Sequence, residues 1–154
     1  MPESFQTRAA TLEDLPEVLA LYKHLIVDET PLPEDAAAAI FERLNKIDGS
    51  AILISRLGNT IVSSCTLVII PNLTRSGAPY ALIENVVTHT AYRKQGFGKA
   101  ILEAAIDRAW KRGCYKTMLL AGSKTPAILH FYKSAGFSQS KTGFQIRRIG
   151  VRAG

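Results

Sequence analysis

Two spacings of apolar residues divide the chain. Leu12, Leu15, Val18, Leu19, Tyr22 and Leu25 or Ile26 recur every three to four residues, the period of one helix face. Thr11 precedes this run as an N-cap, and Glu13 and Asp14 put acids in the first turn, where the helix dipole favours them. Pro16 falls early enough in the helix to be tolerated. After a break at Asp28-Glu29-Thr30-Pro31-Leu32-Pro33, a second helix is predicted from about Pro33 to Lys46, with Ala37, Ile40, Phe41 and Leu44 on one face and Asp48-Gly49 ending it. Strand patterns differ. Residues 4–9 alternate apolar and polar, as a short edge strand does. Ala51 to Arg56 and Thr60 to Ile70 are β-branched and apolar, and Gly58-Asn59 between them predicts a hairpin.

Pro71 to Pro79 reads as a loop before the central strand, Tyr80 to His89. That strand is apolar on both faces, with Leu82 and Val86 pointing one way and Ile83 and Val87 the other. Burial on both faces implies helices on both sides of the sheet. Ile101, Leu102, Ala105, Ile106 and Ala109 mark the core face of a third helix, with Glu103, Asp107 and Lys111 on its back and Gly113 as C-cap. Tyr115 to Leu120 is the next predicted strand, and Gly122-Ser123-Lys124 a turn. Thr125-Pro126, an N-cap followed by proline at the first helical position, starts a fourth helix that ends at Ala135-Gly136. Thr142 to Arg147 reads as a final strand. The expected class is α/β (α+β): a central mixed, mostly antiparallel sheet of six to seven strands with helices on both faces.

Size and charge narrow the picture. A chain of 154 residues, 47% of them hydrophobic, hides roughly 70% of its unfolded surface, so residues 1–154 are expected to form one domain around one core. No apolar run reaches the length of a membrane span. Met1-Pro2-Glu3-Ser4-Phe5 carries no apolar signal region, which points to a cytoplasmic location and to Cys65 and Cys114 as reduced thiols. No His or Cys cluster accompanies either cysteine, so no metal is expected. Nineteen basic residues against thirteen acidic give +6, which suits an anionic partner, either nucleic acid or a phosphate-bearing cofactor. No aromatic-interleaved basic stripe is visible, so nucleic acid is not the expected partner, and a solvated basic face is the ordinary alternative.

The stretch after the central strand carries the chemistry. Arg93-Lys94-Gln95-Gly96-Phe97-Gly98-Lys99 is a basic, glycine-bearing turn that opens a helix. The first N–H groups of a helix have no internal partner and carry the positive end of its dipole, and glycine lets a phosphate approach them. A Walker loop is excluded because Ala100 follows Lys99 and Arg93 stands where its first glycine belongs. Two glycines are too few for a dinucleotide fingerprint. Glu84 interrupts the apolar strand just upstream. A partly buried carboxylate there can act as general base on an ammonium substrate, directly or through water. It can equally be a structural carboxylate paired with an Arg or a Tyr hydroxyl. His89, at the strand end, is a competing base with a structural alternative.

Arg93-x-x-Gly96-x-Gly98 after an acid-bearing strand resembles the acyl-CoA pyrophosphate loop of the GCN5-related N-acetyltransferase (GNAT) family. Phe131-Tyr132, followed by Gly136-Phe137 about 35 residues downstream of the loop, resembles that family's second signature. The resemblance covers roughly Tyr80 to Gln145. It implies the GNAT fold, splayed between its fourth and fifth strands, and acetyl-CoA as co-substrate. Backbone groups of Val86, Val87 and Thr88 would bond the pantetheine arm, and Arg93, Lys94, Gln95, Gly96, Phe97, Gly98 and Lys99 the pyrophosphate. Ser123 and Thr125 would lie near the same arm, with Thr125 standing where many members carry Asn. Tyr132 would aim its hydroxyl at the CoA sulfur as an acid, or else pack against the arm. Glu84 would be the base, and Asp28 and Glu29 lie in a loop that borders the acceptor site in relatives. A homodimer formed through the last strand is also implied.

The implied activity is acetyl transfer to a primary amine of a small molecule, with a non-catalytic acetyl-CoA-binding module as the alternative. Glu84-x-Val86, Gly113-Cys114-Tyr115-Lys116, Phe131-Tyr132 and Gln145-Ile146-Arg147 further resemble glucosamine-6-phosphate N-acetyltransferases. Those enzymes carry acids where this chain has Ala121-Gly122-Ser123-Lys124.

Overall fold

The hairpin at Gly58-Asn59 forms the middle of the sheet. In the computed structural model, which describes residues 4–148, β1 (Phe5–Ala9), β2 (Ala51–Leu57), β3 (Thr60–Ile70), β4 (Tyr80–Thr88) and β5 (Thr117–Met118) lie side by side in that order. Neighbours from β1 to β4 are antiparallel, and β5 runs parallel to β4. Parallel neighbours need a long crossover, and α3 (Phe97–Lys111) lies on it. The chain divides into two compact units at the junction of Met118 and Leu119. The first holds the sheet with α1 (Leu15–Leu21), α2 (Glu34–Asn45) and α3, and the second holds α4 (Pro126–Ser134).

Both faces of the sheet are covered, as the strand pattern predicts. On one, Leu15, Val18 and Leu21 of α1 and Ala37 and Phe41 of α2 pack with Ile52, Ile54, Ile61 and Val87. On the other, the Ser63 hydroxyl donates to the Phe97 carbonyl at 3.0 Å and the Cys65 thiol to that of Ile101 at 4.0 Å, which fixes α3 against β3. Ile101, Leu102, Ala105 and Ala109 are fully buried there. Burying each Ile or Leu contributes on the order of 2 kcal/mol. Burial also pushes the Cys65 thiol up to about 12, so this free cysteine is inert packing. Gly113 (φ 80°) ends α3 as expected: its N–H bonds the Trp110 carbonyl and the Cys114 N–H that of Ala109, the pair of bonds that defines a Schellman cap.

Four expectations are corrected. The described residues form five strands rather than six to seven. The strand expected over Tyr115–Leu120 shrinks to Thr117–Met118, because only Ala81 and Leu82 of β4 offer it a ladder. Among the described residues, Thr142 to Arg147 does not form a strand, and Phe144 and Ile146 are 90% and 98% exposed. The first helix is broken into a 3₁₀ turn (Leu12–Asp14), α1 and a second 3₁₀ turn (Tyr22–His24). Pro16 has no N–H to offer the Leu12 carbonyl, so the α-helical ladder starts later.

An ion network ties the start of α1 to the strands. The Asp14 carboxylate accepts two bonds from Arg8 of β1, at 2.6 and 3.0 Å, and one from the Thr11 N–H at 2.7 Å. Arg56 of β2 reaches Glu17 at 3.2 Å, and Glu17 accepts the Ile61 N–H at 2.6 Å. The hydrogen bonds from Arg8 hold the Asp14 carboxyl well below the usual carboxylate range. A depressed folded-state value stabilises the protein above the unfolded value, about 3.9, and that contribution is lost as pH falls below it. Asp14→Ala should therefore lower the unfolding free energy by about 2 kcal/mol at pH 7. In urea titrations the gap to the wild type should narrow as pH drops below about 4, and an unchanged gap would exclude the ion pair as its source.

Candidate active site

β4 departs from a regular strand at one point. Thr66 pairs with Glu84, but Ser64 pairs with Val87, so one residue of β3 faces two of β4. Asn85 takes the extra turn at φ 52°. This is a β-bulge, and it changes which face the following side chains meet. Val87 joins Leu82 and Glu84 on the α1–α2 face, where it is buried in the core cluster. The expected pairing of Ile83 with Val87 on one face is thereby corrected. Glu84 is corrected too: it is exposed rather than partly buried. Pairing with β5 covers only Ala81 and Leu82. Among the described residues, Ile83 to Thr88 have no strand on that side, which is the expected opening between the fourth and fifth strands.

The loop after β4 presents N–H groups. Lys94 and Gly96 have left-handed backbones, φ 63° and 89°, on either side of Gln95, an arrangement that turns successive N–H groups toward one concavity. Gly96 is also the N-cap of α3, so the N–H groups of Phe97, Gly98 and Lys99 begin the helix without internal partners. Lys94 and Lys99 are exposed at the same point. This donor set fits a pyrophosphate.

Arg93 is engaged in holding that loop. Its guanidinium donates to the carbonyls of Thr88 (3.3 Å) and His24 (3.2 Å), tying the loop to the turn that follows α1. The His24 and His89 rings lie 4.1 Å apart. Each accepts a backbone N–H at Nδ1, His24 from Thr90 and His89 from Ala91. Burial first, then His89 and Arg93, hold His24 below its ordinary pKa. His89 thus has the structural role that the sequence left open.

Glu84 shares its face with Thr66 and, through it, with the first helix. Burial pushes the Tyr22 phenol above its usual range, and the Thr66 side chain opposes the shift. Thr66 is directly across the ladder from Glu84. Asp28 and Glu29 are exposed in the segment after the Tyr22–His24 turn, which itself packs on β4. Tyr22, Thr66, His24 and Asn85 were not singled out by the sequence. Asn, which tolerates a left-handed backbone, was the one available cue.

In the second unit, Thr125 caps α4 by accepting the Ile128 N–H at 3.4 Å, and Pro126 is its first residue. Ser123 accepts the Thr125 N–H at 3.3 Å. Tyr132 lies between Phe131 and Phe137, ring centroids 5.0 and 6.3 Å away, and burial raises its pKa, so the phenol keeps its proton at neutral pH. Gly136 (φ 101°) closes this helix with a second Schellman cap.

Residues 18–137 match the acetyltransferase (GNAT) family. The chain belongs to that family and is an acetyltransferase. A candidate acetyltransferase from Agrobacterium tumefaciens str. C58 is 44% identical, with a TM-score of 0.88 over 93% of this chain and 99% of that one. The glucosamine 6-phosphate N-acetyltransferase of Trypanosoma brucei brucei is 39% identical over 77 residues, half of each chain. Glucosamine 6-phosphate N-acetyltransferase 1 of Oryza sativa subsp. japonica is 26% identical over 139 residues, 88% of this chain and 82% of that one.

The bulge can be tested by its backbone requirement. Asn85→Val puts a β-branched residue at positive φ and should cost about 1–2 kcal/mol of stability, whereas Asn85→Gly should be close to neutral. Equal urea midpoints for wild type and Asn85→Val would rule out the left-handed bulge.

Proposed function

We propose that the chain transfers the acetyl group of acetyl-CoA to a primary amine of a small molecule by direct attack. The carrying observation is the sequence of features along β4. An exposed carboxylate, Glu84, precedes a bulge; the bulge opens onto an unpaired edge; and the strand leads into a basic, left-handed loop at a helix N-terminus.

Acetyl-CoA supplies the activated acetyl group as a thioester. Free N–H groups at the start of α3, with Lys94 and Lys99, hold its pyrophosphate, while Arg93 keeps the loop in place. Among the described residues no strand covers Val86, Val87 and Thr88 on the side away from β3, and their backbone there provides partners for the pantetheine arm. Ser123 and Thr125 belong to the same reading. Glu84 takes the proton that the amine loses on forming the new C–N bond. Tyr132 donates a proton or hydrogen bond to the departing sulfur, a role that its protonated state permits. Asp28 and Glu29 supply negative charge for an ammonium-bearing acceptor. The similarity to two enzymes named for glucosamine 6-phosphate supports that aminosugar as one specific acceptor. The exposed Phe144 and Ile146 support a homodimer.

The first test is thiol release from acetyl-CoA against a panel holding glucosamine 6-phosphate, amino acids, polyamines and aminoglycosides. Release with one class names the acceptor. No release, with acetyl-CoA still raising the melting temperature, favours the binding module. Given an acceptor, Glu84→Gln should lower kcat by about a hundredfold and keep the acetyl-CoA-induced melting shift. Unchanged turnover would remove Glu84 as base. Tyr132→Phe should lower kcat more than it weakens acetyl-CoA binding, and an unchanged kcat would leave only packing.

A further inference from the structure

One half-buried charge has no counterpart in the chain. Among the described residues, the arginines partly withdrawn from solvent are Arg8, Arg56 and Arg108. Arg8 meets Asp14 at 2.6 Å, and Arg56 meets Glu17 at 3.2 Å. Arg108 has no carboxylate within ion-pair distance among the described residues. Its Nε donates to the Gly49 carbonyl at 2.9 Å, which leaves both terminal nitrogens of the fork without an acceptor among those residues. Burial first, then Arg112, hold this guanidinium below its ordinary pKa. A cation in that setting is costly unless an anion completes it.

Arg108 lines a cavity of about 310 Å³ between β1 and the second half of α3, at the small end of the range for small-molecule sites. The cavity floor is mostly apolar. Ala9 of β1 pairs with Leu53 of β2, so the two share a face, and Ala104 meets them from the helix. Arg8 of the same strand sends its guanidinium to Asp14 instead. Lys111 and Arg112 add two more cations to the lining. Asp107 is the acid there, and it pairs with Lys111 at 2.9 Å. The lining therefore keeps a surplus of positive charge.

The turn after α2 holds two of these cations in place. Gly49 is buried with a left-handed backbone, φ 82°, and its carbonyl takes Arg108. A Cβ at Gly49 would stand 3.4 Å from Arg112 Cγ, so the Arg112 stem packs on it, and the Arg112 head donates to Asp48 at 3.0 Å. Arg108 and Arg112 thus stand on successive turns of α3, both anchored to one turn. Cations near the end of a helix complement its dipole. The dipole does not require one of them to be half-buried against a cavity. Arg108 lies nine residues beyond Lys99, about 14 Å along the helix, so the cavity is separate from the phosphate loop.

We propose that this cavity is a second binding site, apart from the acetyl-transfer site, for a small organic anion. Its carboxylate or phosphate meets the free nitrogens of Arg108 with Arg112 alongside, and its apolar body lies on Ala9, Leu53 and Ala104. A guanidinium fork accepts either oxyanion in a bidentate manner.

The test follows backbone amide NMR shifts while phenyl phosphate, benzoate or benzyl alcohol is added. At least one of the two anions should give saturable shifts at Ala9, Gly49, Leu53 and Ala104, and the tighter of them names the oxyanion. Benzyl alcohol, with the same ring and no charge, should give none. Arg108→Ala should weaken binding by about tenfold or more. Ala104→Leu, which fills the floor and leaves every cation, should weaken it as well. Arg43→Ala, on the exposed side of α2, should change nothing. If Arg108→Ala fails to fold for want of its Gly49 bond, Ala104→Leu decides alone. Anion shifts confined to Gln95–Lys99, no saturable shift with either anion, or an affinity unmoved in Ala104→Leu or in folded Arg108→Ala would overturn the proposal. None of these outcomes bears on acetyl transfer.

Discussion

A strand inside a sheet must have both edges satisfied, and β4 has only one along most of its length. Its antiparallel ladder with β3 runs nearly the whole strand, whereas β5 accompanies it for two residues. Backbone N–H and C=O groups left without a ladder need other partners, either water or a ligand with an amide backbone of its own. The bulge at Asn85 falls inside this half-paired stretch and turns Val87 into the core beneath α1 and α2 while Glu84 stays outside. The strand is therefore anchored by one residue and open at its neighbours, which is the condition a strand-like cofactor arm requires.

The loop beyond β4 inherits its position from the same strand. Arg93 clamps it to Thr88 at the strand's end and to His24 beyond the first helix, and the paired imidazoles cap the turn between. Charge at the helix start is consequently left to Lys94 and Lys99, with Arg93 acting on the loop's shape. Ser63 and Phe97 secure the other side by fixing the first turn of α3 to β3.

What could be read from the sequence was written in residues with strong local preferences. Gly58-Asn59 located the hairpin, Gly113 and Gly136 the helix ends, and Thr125-Pro126 the start of α4. The glycines of the phosphate loop were legible for the same reason. Features that depend on distant partners were not. Tyr115 to Leu120 has the composition of a strand, but strand length is set by the edge it meets, and the pairing with β4 ends at Leu82 and Met118. Glu84 looked buried because its neighbours are apolar, yet exposure follows from the splay of the sheet. The bulge defeated simple alternation, so every facing assignment beyond Asn85 was shifted. Arg75 and Lys116 are far apart in the chain, and only the fold brings both to the Tyr115 ring, 5.7 and 5.4 Å from its centroid.

Amide hydrogen exchange with and without acetyl-CoA tests the role of β4 most directly. Two stretches should slow together on binding: Ile83 to Thr88, whose free edge gains partners, and Gln95 to Lys99, whose N–H groups meet the pyrophosphate. Saturable binding that protects neither stretch would contradict the assignment of the unpaired edge and the loop to the cofactor.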